Sequence, residues 1–181
     1  GRLDVVQALL ADPRVEVNAQ DTDQRTPIMF TANAGYLELI QAFLADLRIN
    51  INMPDKEGRS TLMKAASNGH VEVVQALLAD PRVDVNARDH EQWTSLMVAA
   101  SKGHDEVVNA LLTDPRIKVN SRTAGLFGKT ALKLATEKGH TSIAEVLLAH
   151  SQGNSKARKN SGEERSAGSP WRTIAKKLDP R

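Results

Sequence analysis

Histidine, carboxylate and hydroxyl side chains are the groups in this sequence that could bind a metal or catalyse a reaction. The five histidines include no pair at metal-ligand spacing on one predicted helix, and no His-Glu-x-x-His pattern occurs. Asp21 and Asp23 lie close together, but the glycine and glutamate of a calcium-binding loop do not follow them. The sequence also has no cysteine and no glycine-rich loop ending in Gly-Lys-Ser/Thr. We therefore expect no enzymatic activity, no metal site and no cofactor.

Three of the histidines recur with a repeated glycine. Five glycines lie 34, 34, 34 and 36 residues apart, and His70, His104 and His140 each follow one of them. The glycines are Gly1, Gly35, Gly69, Gly103 and Gly139. Self-similarity at such a period is typical of stacked repeats, each of which buries its apolar face against its neighbours. The repeat therefore explains these histidines as structural residues.

Each repeat contains the patterns of two helices. The first helix is short and begins with Thr or Ser, which are good N-terminal caps, as at Ser60 and Thr94. The second helix follows the glycine, carries apolar pairs at helical spacing and ends at an Asp-Pro step such as Asp80-Pro81. A polar stretch with hairpin-like chemistry then leads to the next Thr or Ser.

This pattern resembles the ankyrin repeat. Residues 55–70 read DKEGRSTLMKAASNGH, and Leu77-Leu78 and Asp84-Val-Asn follow them. The family pattern has the same order: D-x-x-G-x-T-P-L-H-x-A-A-x-x-G-H, a second helix ending in L-L, and then D-V-N. The resemblance covers residues 1–150 and implies an all-α solenoid of helix-turn-helix units with β-hairpin-like loops. In two respects the sequence departs from the family: methionine replaces the histidine of T-P-L-H in most units, and the turn after the second helix is one residue longer.

The repeat also predicts the domain boundaries. Residues 1–25 form a half-repeat, and four units follow near 26–59, 60–93, 94–129 and 130–150. Two extra residues lengthen the hairpin around 123–128. We expect a flexible basic linker over 151–168 and a degenerate capping helix over 169–181, or alternatively a free basic motif around Trp171. Because the chain does not begin with Met, we expect a fragment or a processed product.

Charge is divided unevenly between the repeats and the tail. Residues 1–150 contain 16 Lys/Arg against 19 Asp/Glu, a net charge of −3, whereas residues 151–181 contain 8 against 3, a net charge of +5. A basic tail could contact nucleic acid or another anionic surface. Only one aromatic residue, Trp171, accompanies these charges, and base-stacking surfaces usually have more. The composition therefore disfavours nucleic-acid binding.

Residues that the repeat does not explain are the candidates for binding. The resemblance implies that the hairpin tips and the exposed side of the first helices form the concave side, the usual partner surface of the family. Trp93 occupies a variable position on that side in a chain with only 3% aromatic residues, and Trp is enriched at interface hot spots. An alternative is that Trp93 lies flat over its own hairpin. The expected partner-binding residues are Arg25, Arg59, Trp93, Lys129, Phe127, Leu126, Asn68 and Lys102.

Two other features are expected to be structural. Phe30 should lie in the core, because Lys64, Val98 and Leu134 share its position in the other units. One arginine follows each second helix, and local ion pairs or solvation are a simpler expectation for these residues than a cationic binding edge. The series consists of Arg14, Arg48, Arg82 and Arg116.

The sequence thus predicts a non-catalytic, monomeric module that binds another protein on its concave face and has no small-molecule substrate. An alternative is a regulatory or targeting segment of a larger enzyme or channel, and a third hypothesis is binding through the basic tail. No signal peptide is present, and no run approaches the ~18 apolar residues of a membrane span. With the absence of cysteine, this favours an intracellular protein, located in the cytoplasm or the nucleus.

Overall fold

A computed structural model of the chain describes residues 2–151. Within that range, eight helices have both ends described, and no strand occurs. They are α1 (Leu3–Ala11), α2 (Pro27–Ala34), α3 (Leu37–Ala45), α4 (Thr61–Ser67), α5 (Val71–Ala79), α6 (Ser95–Lys102), α7 (Asp105–Thr113) and α8 (Ala131–Lys138). A further helix, α9, covers residues 141–151. The predicted all-helical, ankyrin-like solenoid is confirmed.

A Thr or Ser precedes each first helix of a unit (α2, α4, α6 and α8), and its hydroxyl caps the helix in the last three. The Ser60 hydroxyl accepts a hydrogen bond from the Met63 N–H at 3.2 Å, and the Thr94 hydroxyl accepts one from the Met97 N–H at 3.4 Å. Three of the four end at a glycine in the left-handed region, as at Gly103 with φ 79°. Glycine adopts this backbone without strain, which lets the chain turn sharply into the second helix.

The second helices (α1, α3, α5, α7 and α9) follow that turn, and the first four end at an aspartate with extended backbone. The Asp80 carboxylate accepts a hydrogen bond from the Arg82 N–H at 2.9 Å. Asp46 makes the same bond to Arg48 at 2.9 Å, although Leu47 replaces the proline found in the other units. The aspartate therefore ends the helix, and the proline that follows it elsewhere is not required.

The helices form two layers. Each first helix packs on the first helix of the adjacent unit, and the second helices α1, α3, α5 and α7 pack on one another in the same order. One apolar core lies between the layers and continues through the stack, with Leu62, Leu77, Leu96 and Leu111 almost fully buried. Burial of this kind is only possible between neighbouring units, which explains why the repeat must be stacked.

Polar side chains join each unit to the next. The Asn52 side chain donates to the Arg82 carbonyl at 2.7 Å and accepts from the Asp84 N–H at 2.9 Å. Arg82 pairs with Asp80 at 2.6 Å and also donates to the Leu44 carbonyl of the preceding unit at 2.7 Å. The same bonds recur in other units, for Asn18 and Asn86 and for Arg48 and Arg116. The ion pairs expected for the arginine series are present, and three of the four arginines also connect units.

The repeated histidines likewise join adjacent units, because each follows a first helix and contacts the first helix of the preceding unit. A ring nitrogen (Nε2) of His104 lies 3.1 Å from the Ser67 carbonyl, and His70 and His140 make equivalent contacts with the preceding units. The His104 ring also lies against Gly69, where a Cβ would come within 2.9 Å of it. The structural role expected for these histidines is therefore visible in the structure.

The predicted tail lies almost entirely outside the described residues. Ser151, the first residue of the predicted linker, belongs to α9. The remainder of the linker at 152–168 and the capping helix at 169–181 are not described, so both stay predictions, together with the basic-tail hypothesis.

Candidate partner-binding surface

Three of the four hairpin loops are held by a carboxylate that accepts a hydrogen bond from the N–H group four positions later, whereas the Thr123 hydroxyl accepts the Lys129 N–H in the fourth. The Asp55 carboxylate accepts hydrogen bonds from the N–H groups of Glu57 at 3.1 Å and Arg59 at 2.8 Å. The Asp89 carboxylate accepts the same bonds from Glu91 at 3.0 Å and Trp93 at 2.8 Å. This local geometry places Arg25, Arg59 and Trp93 at equivalent positions of three consecutive hairpins.

The hairpins also bond to one another, which aligns their tips. The Lys56 N–H donates to the Asp23 carbonyl at 2.8 Å, and the His90 N–H donates to the Glu57 carbonyl at 3.0 Å. The Ala124 N–H donates to the Glu91 carbonyl at 2.8 Å, so the enlarged hairpin at residues 121–130 continues the row. The hairpin tips and the first helices together form one surface, called here the first-helix face.

Four of the eight predicted binding residues line one groove in this face. The groove has a volume of about 410 Å³ and lies between the hairpins and helices α4 and α6. Arg59, Asn68, Trp93 and Lys102 line it. Trp93 is partly buried and packs against the core, yet its side chain still contributes to the wall. We call this depression the Trp93 groove.

Three more predicted residues lie together at the enlarged hairpin. Leu126, Phe127 and Lys129 line a neighbouring groove of about 460 Å³. Leu126 and Phe127 are 92% and 87% exposed, which makes this hairpin the most exposed apolar feature among the described residues. The Lys129 ammonium group pairs with the Glu137 carboxylate at 2.5 Å, which lowers the pKa of Glu137.

Arg25, the last of the eight, is engaged by its own unit. Its guanidinium group pairs with Asp21 at 2.8 Å and Asp23 at 3.2 Å, and lies 4.9 Å from the centre of the Phe30 ring. The expectation that Phe30 is a core residue is wrong, because the ring is 49% exposed and lines a small cleft of about 80 Å³. The Phe30 side chain lies at the edge of the first-helix face, and its large ring extends beyond the core.

Asp55 is the most buried charge beside the Trp93 groove. Its side chain is 0% exposed, and it pairs with the Lys64 ammonium group at 2.5 Å and with Arg59 Nε at 3.1 Å. Burial alone would raise the pKa of Asp55, but the bonds from Lys64 and Arg59 outweigh it and hold that pKa below its ordinary value. Arg59 also pairs with Glu57 at 2.6 Å. The charges of Lys64 and Arg59 are therefore balanced within the chain.

Lys102 differs from the other predicted cations. Arg25, Arg59 and Lys129 each have an acidic partner within 4.0 Å, whereas Lys102 has none among the described residues. Lys102 is exposed at the rim of the Trp93 groove, next to Ser101 and Asn68.

A comparison with protein-family models finds ankyrin repeats in three copies, at residues 1–89, 48–123 and 82–160. The chain belongs to the ankyrin-repeat family. Ankyrin repeats are generally protein–protein interaction modules, and the family is typically non-enzymatic. A comparison with curated proteins finds no match for the chain.

Within the ankyrin repeats that the structure describes, no helix is long and apolar enough to cross a membrane. The same residues contain no group of three or more His, Cys, Asp or Glu side chains placed to hold a metal ion.

Residues that line the Trp93 groove of these ankyrin repeats and that sequence reasoning missed include Lys64, Asp89 and Val98. Lys64 and Val98 share the position of Phe30, which periodicity assigned to the core. Asp89 recurs with the repeat, since Asp21 and Asp55 occupy the same position in the preceding hairpins, and it was therefore interpreted as a structural residue. A signal for Asp89 was present in the sequence, because its hairpin keeps the aspartate and replaces the arginine found four residues later in the two preceding hairpins.

Proposed function

We propose that this ankyrin-repeat domain binds another protein through its first-helix face, which would form the concave side of the stack, and that binding involves no catalysis. The observation that supports the proposal most directly is the Trp93 groove. It combines an indole, an ammonium group with no acidic partner among the described residues, and two amide side chains, Asn33 and Asn68, in one opening of about 410 Å³. Trp and Arg side chains in partly desolvated pockets are typical interface hot spots.

The surroundings of the groove favour a rigid binding surface. Arg59 and Lys64 are held by Asp55, and the Asn68 side chain donates to the Lys64 carbonyl at 2.9 Å and to Asn33 Oδ1 at 3.1 Å. Side chains that are already ordered lose little entropy when a partner binds. Trp93 is the proposed anchor.

The enlarged hairpin would extend this surface. Leu126 and Phe127 are not buried by any of the residues that the structure describes, and exposed apolar patches are typical of interaction surfaces. Their groove shares the first-helix face with the Trp93 groove, so one partner could contact both.

Trp93→Ala tests the proposal in two steps. Wild-type chain is first used to capture partners, and the affinity of each purified partner is then measured by calorimetry with wild type and variant. A Trp anchor predicts a loss of about 2 kcal/mol, which is roughly a thirtyfold weaker Kd. Circular dichroism must show that the variant remains folded.

Leu47→Ala is the matched control. Leu47 is 86% exposed and lines a different groove of about 600 Å³, together with residues of α1 and α3. The proposal predicts an unchanged affinity for this variant. If Leu47→Ala weakens binding and Trp93→Ala does not, the partner uses the second-helix side and the proposal is wrong.

A further inference from the structure

In two consecutive hairpins, the carboxylate that holds the loop also pairs with an arginine of the same hairpin. Arg25 Nε donates to Asp21 Oδ2 at 2.9 Å, and Arg59 Nε donates to Asp55 Oδ2 at 3.1 Å. In each case, the other carboxylate oxygen accepts the backbone N–H groups of the loop. The guanidinium group thus occupies a defined position beside the carboxylate, on the first-helix face.

The third hairpin keeps the carboxylate and lacks the cation. Asp89 Oδ1 accepts the two backbone bonds from Glu91 and Trp93, but within residues 2–151 no side chain donates to Asp89 Oδ2. Trp93 replaces the arginine, and Val98 stands where Lys64 pairs with Asp55 in the preceding unit. Asp89 and Trp93 line the same groove.

The charges around Asp89 favour a cation at this position. Glu91 lines the groove and has no ion pair within the described residues, whereas the nearby charges of Arg59 and Lys64 are balanced by Asp55 and Glu57. Of the cations that line the groove, Lys102 is the one without an acidic partner within residues 2–151. An incoming cation would therefore meet two carboxylates that have no cation among the described residues, at the cost of some repulsion from Lys102.

We propose that the Trp93 groove receives an arginine side chain of the partner, whose guanidinium group pairs with Asp89 Oδ2 and stacks on the indole of Trp93. This rests on the proposed function and specifies the chemistry of the partner segment. Arginine is favoured over lysine because its planar group can pair with a carboxylate and stack on an aromatic face simultaneously. Arg25, which pairs with Asp21 while lying 4.9 Å from Phe30, shows that combination within the chain itself. Lys102 would select against further basic residues beside the arginine.

The test selects peptides from a phage-displayed library of random dodecapeptides against the full-length chain. We expect the enriched sequences to share a single arginine without neighbouring Lys or Arg. Synthetic copies should lose at least roughly tenfold in affinity when citrulline, the uncharged analogue, replaces that arginine. They should lose a similar factor against Asp89→Asn, which keeps the shape and both backbone bonds of the carboxylate.

Trp93→Arg provides a second variant. It installs the guanidinium group that the other hairpins already have, so it should remain folded and lose the selected peptides. Glu72→Gln is the control, because Glu72 lies on α5, does not line the groove and has no ion pair among the described residues. This control should bind the peptides with unchanged affinity.

The outcomes separate the two proposals. Peptides that depend on Trp93 but bind equally well with citrulline would overturn the arginine proposal and leave the proposed function standing. Peptides that are indifferent to both Trp93 and Asp89, or no enrichment at all, would contradict both. If Asp89→Asn abolishes self-association of the chain in sedimentation, the groove belongs to a second copy and the proposal of a partner arginine is wrong.

Discussion

The three hairpin carboxylates form a natural series that differs in the number of attached cations. Asp55 has two, Lys64 at 2.5 Å and Arg59 at 3.1 Å, while Asp89 has none among the described residues. Asp21 pairs with Arg25 alone and is more exposed. Substitution by Asn keeps the volume and an oxygen for the backbone bonds of each loop. The series therefore isolates what the cations contribute to stability.

We expect Asp55→Asn to lower the free energy of unfolding by about 3 kcal/mol. Removing one partner of a buried ion pair typically costs 3–5 kcal/mol, because the other charge is left without compensation. The lower end applies here, since the Lys64 side chain is 13% exposed and that of Arg59 is 42% exposed, so water can reach them. For Asp89→Asn the expected loss is under about 1 kcal/mol, because no cation is left unpaired. Asp21→Asn should fall between the two.

Urea unfolding of the full chain, followed by circular dichroism, measures these differences. The slope of the transition must stay the same in all variants, so that the midpoint alone reports stability. An equal loss for Asp89→Asn and Asp55→Asn would refute the reasoning. It would mean that the backbone bonds of the loop, rather than the ion pairs, account for the effect.

The ion pairs of Asp55 also predict how the stability of the protein depends on pH. The pKa of Asp55 is lowered in the folded state, so its contribution is fully present above the ordinary carboxyl value near 3.8 and is lost as the pH falls through the folded value. The stability difference between wild type and Asp55→Asn should therefore be constant from neutral pH to about pH 4 and shrink below it. A difference that shrinks already between pH 7 and pH 5 would contradict this assignment.

Two further predictions concern the scaffold. Ser95→Pro should stabilise the protein by about 0.5–1 kcal/mol in thermal or urea unfolding. Pro27 occupies the same first helical position in an earlier unit, and the buried Ser95 hydroxyl has no hydrogen-bond partner among the described residues. A loss of stability would contradict this prediction. Arg82→Ala should cost about 1 kcal/mol, because the bond to the Leu44 carbonyl joins two units. Arg14, which makes no such bond and is 88% exposed at its side chain, should tolerate the same substitution without a measurable change, and an equal effect at both positions would count against the inter-unit role.

The architecture could be predicted from the sequence because the repeat reports it directly. The recurring glycine marks the sharp turn between helices, and whatever recurs with it, such as His104, proved to join neighbouring units. The end of α3 is likewise explained by a feature that recurs in every unit. Asp46 ends that helix without a proline, because the carboxylate bond to the following backbone is the feature that all units share.

The depth of a side chain within a surface could not be predicted in this way. Phe30, Lys64 and Val98 share one position in the repeat, yet Phe30 is 49% exposed and the Lys64 side chain is only 13% exposed. Periodicity gives the direction in which a side chain points, but depth depends on its length and on its neighbours from other units. Periodicity also failed to single out Asp89, because the importance of Asp89 depends on Trp93 replacing the arginine that pairs with the carboxylate in the preceding hairpins.

Amide hydrogen exchange of the full chain, with and without a purified partner, tests the central claim most directly. Binding on the first-helix face predicts added protection in the hairpins at 55–59 and 89–93 and in helices α4 and α6, with none in α5 and α7. Protection confined to α5 and α7, or to α1 and α3 around Leu47, would show that the partner binds elsewhere and would contradict the account.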